Sequence, residues 1–230
     1  MLLLAALTFY TYSPAQVVVA VTALLLFFFD LRYHWKNRRH LVAGLGLLLL
    51  LAAPYIRFQI NHPGETEHHL TVLGSYWVQN IPFGEKIGAF AKNYLSGLNP
   101  FFWFDPEPVG LARHIMKGYG HLWRWSLPLM PIGIILAVAK FRGPAHRMVL
   151  AALLAAPSGS ALVGLGVTRM LFMVVPAVLL SAVGLSAGLE ALVKLFNRYW
   201  KKLQIRTALL LTAFALMSVA SLFMLKDALN

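Results

Sequence analysis

The chain contains no cysteine. A disulfide framework, a thiolate metal site and a cysteine nucleophile are excluded together. Charge is also scarce: Asp, Glu, Lys and Arg make up 12% of the 230 residues, with 8 acidic against 20 basic side chains. With 59% hydrophobic residues and a mean hydropathy of +0.69, there is too little charge for a water-soluble domain of this size. Disorder is excluded too, because disordered segments need low hydrophobicity. No GxSxG, P-loop or Rossmann glycine pattern occurs on a plausible strand-turn-helix, so serine hydrolases, nucleotide hydrolases and dehydrogenases gain no support.

What is present is a series of apolar blocks of roughly 20 residues, the length of a bilayer-spanning helix. Six complete spans are expected, at Pro14 to Asp30, Leu41 to Tyr55, Trp125 to Phe141, Met148 to Gly166, Met170 to Val193 and Thr207 to Leu225. Residues 1–10 are half a span without a basic leader, and read as the end of a helix whose beginning is missing. The expected organisation is thus an all-α polytopic membrane protein: transmembrane helices in 1–56, a long loop with interfacial helices in 57–123, and four more spans in 124–230.

The net charge of +12 sits in short clusters between these blocks, which points to lipid headgroups and topology rather than to nucleic acid. Segments 30–40, 140–147 and 194–206 together carry 12 Lys and Arg in 32 residues, whereas 57–124 carries 6 in 68. Cytoplasmic loops retain positive charge, so the long loop, the TYSPAQ turn, Val167 to Arg169 and the C-terminus are expected outside the cell membrane. The spans hold no charge near their centres, Glu190 lying near a cytoplasmic end, which disfavours a proton-coupled pump. Pro54, Pro128, Pro131, Pro157 and Pro176 are expected to kink or end helices, and Gly184 with Gly188 forms a small-residue step for close helix approach.

Chemistry is therefore sought at the outer face. Phe83, Ile87, Phe90, Tyr94 and Leu98 recur at helical spacing and predict an interfacial helix, with a similar segment at Leu70 to Asn80; a small subdomain packed on the bundle is the alternative. Phe101, Phe102, Trp103 and Phe104 suit an interfacial anchor or, with Tyr119, the wall of a groove for a lipid chain. Beside them Arg113, His114 and Lys117, followed by Gly118-Tyr119-Gly120, form a cationic group fit to hold a lipid phosphate. Arg169 stands in a three-residue connector, where it could share that phosphate or snorkel to bulk lipid.

Asp105 and Glu107 flank Pro106 and are weak candidates for a general base. His62, His68, His69, His114 and His121 with Glu65, Glu67, Asp105 and Glu107 supply potential metal ligands, but no tight spacing such as HExxH, and no metal site is assigned.

The order of FYTYSPAQ, a basic turn, YLSGLNPFFWF, RHIMKGYG and TRMLFMVVPAVLL resembles the latter part of a bacterial GT-C glycosyltransferase of the protein-mannosyltransferase or aminoarabinose-transferase type. The resemblance covers nearly the whole chain. It implies a membrane enzyme that moves a sugar from a polyprenyl-phosphate-linked donor to a lipid or protein acceptor at the extracytoplasmic face. In that family a first-loop carboxylate acts as general base and, in some members, binds a divalent metal; no counterpart is found here. The resemblance thus makes this chain the donor-lipid and scaffold part, inactive by itself and paired with a missing N-terminal catalytic half. Two other readings stand beside it: a non-enzymatic lipid-binding or transporter subunit, and an O-antigen-ligase-like transferase.

Overall fold

The computed structural model describes residues 1–105, 114, 118–199 and 205–229, and among these it contains helices and turns but no strand. Among the described residues, three helices are long and apolar enough to cross a membrane, Arg38–Asn61, Val167–Leu195 and Thr207–Asp227, with mean hydropathies of 2.0, 2.2 and 2.3 over their apolar stretches. They fall in the expected blocks. Hydrophobic side chains cover much of the surface, Leu211 being 64% exposed and Phe214 72%, as befits faces that meet lipid.

In chain order, α1 (Leu2–Thr11) turns at extended Tyr12 into α2 (Ser13–Phe29), whose second residue is Pro14. Proline suits that position because its fixed φ matches a helix start and its missing N–H would be unpaired anyway. Then come α3 (Leu31–Lys36) and α4 (Arg38–Asn61). α4 runs past the expected end at Tyr55 and straight through Pro54.

A hydroxyl supports that passage. Tyr10 of α1 donates to the Leu51 carbonyl (2.7 Å) and accepts from the Tyr55 N–H (3.2 Å), so it is spliced into the ladder of α4 beside the proline. Pro54 frees the Leu50 carbonyl and loosens the next rung of the ladder, Leu51 to Tyr55, and it is this rung that Tyr10 bridges.

The outer segment folds as α5 (Glu65–Val72), a 3₁₀ turn at Tyr76–Val78, α6 (Phe83–Leu98) and α7 (Pro100–Phe104). α6 has the expected boundaries, but only part of its apolar face is free. Phe83 is 69% exposed, while Phe90 and Tyr94 are half-buried and Gly97 is buried against Pro157 and Met170. It is docked on the bundle at its C-terminal end.

The blocks at 125–141 and 148–166 form α8 (Leu129–Ala139), α9 (Pro144–Ala155) and α10 (Ser158–Ala161), shorter than expected for spans. Pro128 stands at the N-cap of α8 and Pro157 separates α9 from α10. Beyond α10, Gly164 has φ 148 and Gly166 is extended, so helical geometry resumes only in the 3₁₀ segment Val167–Met173 and α11 (Val174–Tyr199). Pro131 and Pro176 lie in the first turns of α8 and α11, where they open helices rather than kink them. α12 (Ile205–Leu229) completes the described chain.

α8 and α11 pack antiparallel with backbones almost touching. A Cβ on Gly133 would lie 1.8 Å from the Leu180 carbonyl oxygen, and one on Gly184 would lie 2.0 Å from that of Leu129. Gly184 thus does provide close approach, but its counterpart is Gly133; Gly188 has nothing within 4 Å. At one end of the bundle Asp30 is paired with Arg147, whose guanidinium also donates to the carbonyls of Phe141 (3.2 Å) and Arg142 (2.7 Å). Phe29 and Phe141 meet edge to face beside them, 5.0 Å between centroids.

Candidate functional site

The site begins at the break after α10. The last carbonyls of a helix have no partner within it, and unpaired carbonyls are costly away from water. Here side chains from the outer segment reach them. The Ser75 hydroxyl donates to the Leu162 carbonyl (2.5 Å), the Tyr76 hydroxyl to that of Ala161 (2.5 Å), and the Asn93 amide also to Ala161 (3.3 Å). Tyr94 donates to the Leu154 carbonyl at 2.6 Å, and Ser160 to that of Gly164 at 2.8 Å. Burial pushes the phenols of Tyr76 and Tyr94 up from their ordinary value, so both remain protonated donors at neutral pH.

Arg169 follows this break. Its side chain is half-buried and its Nη1 donates weakly to the Gly164 carbonyl (3.4 Å). No carboxylate among the described residues lies within ion-pair distance of it. Tyr12 adjoins it: the phenol donates to the Thr168 carbonyl (2.9 Å) and its ring stacks on Phe172 at 6.3 Å. Burial raises the Tyr12 pKa more than the neighbouring Arg169 charge lowers it. The next residue, Ser13, has its hydroxyl 3.3 Å from His69 Nε2. The arrangement is a cation with spare donors, set between an aromatic pair and a polar helix break.

The aromatic run divides. Phe101 is 77% exposed, the position of an anchor, while Trp103 and Phe104 belong to the core with Leu122, Met170 and Met173. Trp103 also donates through Nε1 to the Gly97 carbonyl (2.7 Å). Of the expected groove wall, then, Phe101 and half-buried Phe102 have surface to offer. Tyr119 is occupied elsewhere: its hydroxyl donates to Asp227 (2.5 Å) near the end of α12, which raises the phenol pKa. Arg169 lies not in a connector but in the 3₁₀ segment that leads into α11, and Met170 beside it packs on Gly97, so this segment and the aromatic run share one core.

Arg113, Lys117 and Glu107 lie outside the described residues. His114 is half-buried, and Asp105 follows α7 with its N–H on the Phe101 carbonyl at 3.2 Å. His121 is wedged against the rings of Phe102 and Trp103, at 5.5 and 6.2 Å, and burial pushes its pKa down. Among the described residues no three His, Asp or Glu side chains gather closely enough to hold a metal ion.

Sequence reasoning singled out Arg169 but passed over Tyr12, Ser75, Tyr76 and Asn93 as site builders. Their role depends on carbonyls freed elsewhere in the chain, which no spacing pattern announces. Comparison with protein-family models, with curated proteins and with solved structures finds no match.

Proposed function

We propose that this chain is the donor-lipid and scaffold part of a membrane glycosyltransferase, one that holds a polyprenyl-phosphate-linked sugar at the extracytoplasmic face for transfer to a lipid or protein acceptor. The reading rests on the resemblance given above. The observation that carries it furthest is Arg169, a half-buried guanidinium without a described carboxylate partner, beside aromatic surface and a helix break. Such a group offers bidentate hydrogen bonds to a phosphate while the isoprenoid tail stays in the membrane.

Binding of polyprenyl phosphate to the nanodisc-embedded chain tests it, with neutral polyprenol as control. Arg113→Ala and Arg169→Ala are each expected to weaken binding about tenfold to a hundredfold, since a hydrogen bond to a charged group is worth about 1.5–3 kcal/mol. A solvated ion contact would change little, about 0–1 kcal/mol. Unchanged affinity in both folded variants would remove the proposal.

The proposal includes six spans, with segment 57–123 outside the cell membrane. Two groups of contacts support the alternation of the connecting segments between two sides, and the charge count supports which side is which. Asp30–Arg147 and Phe29–Phe141 join the turns after α2 and α8, while Tyr12–Thr168 and Tyr119–Asp227 join segments assigned to the opposite side. A cysteine placed at exposed Asn80 should react with an impermeant maleimide in intact cells, and one at Asn197 should not. The reverse pattern would overturn the orientation.

One observation favours a second reading, a non-enzymatic lipid-binding or transporter subunit. Interrupted helices are common at transporter substrate sites, and the chain is interrupted between α9 and α10 and again after α10. Sugar release from bound donor, measured with acceptor present and the complete enzyme assembled, separates the two.

A further inference from the structure

α3 lies at the Asp30–Arg147 end, away from Arg169, and is more exposed than its composition would allow in water. Trp35 is 87% exposed, Tyr33 61% and Leu31 47%. Arg32, Lys36, Arg38 and Arg39 are exposed around them. Leu31 and Trp35 are four residues apart, as are Arg32 and Lys36, so each pair occupies one strip of the helix surface, the two strips side by side. Together the four line an open groove of about 570 Å³ with almost entirely apolar walls.

Local charge is uncompensated. Asp30, the acidic residue in this turn, is engaged by Arg147, and among the described residues no carboxylate lies within ion-pair distance of Arg32, Lys36, Arg38 or Arg39. The pairing also fixes the groove in the bundle, because Arg147 binds the end of α8 as well.

We propose that this groove is a binding site for an anionic phospholipid of the leaflet that this end faces. The phosphodiester sits between Arg32 and Lys36, with Arg38 and Arg39 adding to the field, and the proximal acyl chain lies along Leu31 and Trp35. The apolar strip excludes a purely polar anion as the preferred occupant, and the cations favour phosphatidylglycerol over zwitterionic phosphatidylcholine. Trp35 then occupies the interfacial depth at which tryptophan is enriched.

The test is native mass spectrometry of the full chain released from phosphatidylcholine nanodiscs that contain a minor share of phosphatidylglycerol. The retained lipid should be enriched in phosphatidylglycerol. In Arg32→Gln/Lys36→Gln that enrichment should fall about 25-fold, roughly fivefold for each cation near an anionic surface. Lys140→Gln/Arg142→Gln removes two charges outside the groove and should keep most of the enrichment. Trp35→Ala should lower total retained lipid. An equal loss in both charge variants, or no enrichment in the wild type, would overturn the site, as would displacement by soluble glycerol phosphate. None of these outcomes bears on polyprenyl-phosphate binding at Arg169.

Discussion

Leucine in place of Gly133 is expected to destabilise the chain by about 3 kcal/mol or more, at or above the upper end of ordinary overpacking. Two effects oppose each other at this position. Glycine in a helix interior costs about 1 kcal/mol relative to alanine, so a side chain should help α8 as an isolated helix. Against that, a Cβ would lie 1.8 Å from the Leu180 carbonyl oxygen, and the atom it meets is backbone, which cannot swing aside as a side-chain end can. The overlap wins, even for alanine. Relief requires α8 and α11 to separate along their length, which loses dispersion contacts around Leu180 and Ala177 as well. Equilibrium unfolding in mixed micelles measures the cost, and Gly188→Leu serves as the control, since nothing lies within 4 Å of its Cβ position. Equal stability of the two variants would mean that α8 and α11 are not in backbone contact.

Valine at Gly159 should combine a loss of stability with a loss of donor binding. The Cβ would come within 2.4 Å of the Pro14 carbonyl oxygen, at the start of α2. Ser158, Gly159, Ser160 and Ala161 are all buried, so α10 has no free direction in which to move. About 2–3 kcal/mol is expected from overpacking. The displacement also pulls the carbonyls of Ala161 and Leu162 away from Tyr76, Asn93 and Ser75, which hold the break next to Arg169. Ser160→Ala, by contrast, removes one hydrogen bond to the Gly164 carbonyl and should cost about 1 kcal/mol. Thermal stability and polyprenyl-phosphate affinity are read on both variants. If Gly159→Val kept both properties while folding normally, α10 would not be the element that positions the site.

Much of the architecture is legible in one dimension because it follows from local chemistry. The helix at Phe83–Leu98 is announced by its apolar spacing, and the three longest apolar helices by their runs of Leu, Ala and Val. Proline was ambiguous. The residue that bridges the ladder beside Pro54 is Tyr10, more than forty positions away, and no window that contains the proline contains that partner. Gly184 stood out in a small-residue step, but which of its neighbours mattered was decided by the partner helix. The aromatic run reads as uniform in sequence and is not uniform in space: its fate was settled by contact with Met170 and Leu122, so two rings became core. Arg169 was legible because a lone cation in a short connector is conspicuous. The hydroxyls and the amide around its helix break were not, because Ser, Tyr and Asn occur in any loop.

The hydroxyl of Tyr10 carries a consequence for assembly order. α4 is the longest uninterrupted apolar helix in the first part of the chain, yet its ladder at Leu51 and Tyr55 is completed by an atom from α1. Inserted alone, α4 would carry an unbridged opening at Leu51 and Tyr55 beside Pro54 that lipid cannot mend, and it would be free to bend there. With α1 alongside, the same place becomes a joint of fixed angle, backed by the rings of Phe9 and Tyr55 at 5.1 Å. The two helices therefore mature together although α2 and α3 separate them in the chain, and the stiffness of the second is on loan from the first.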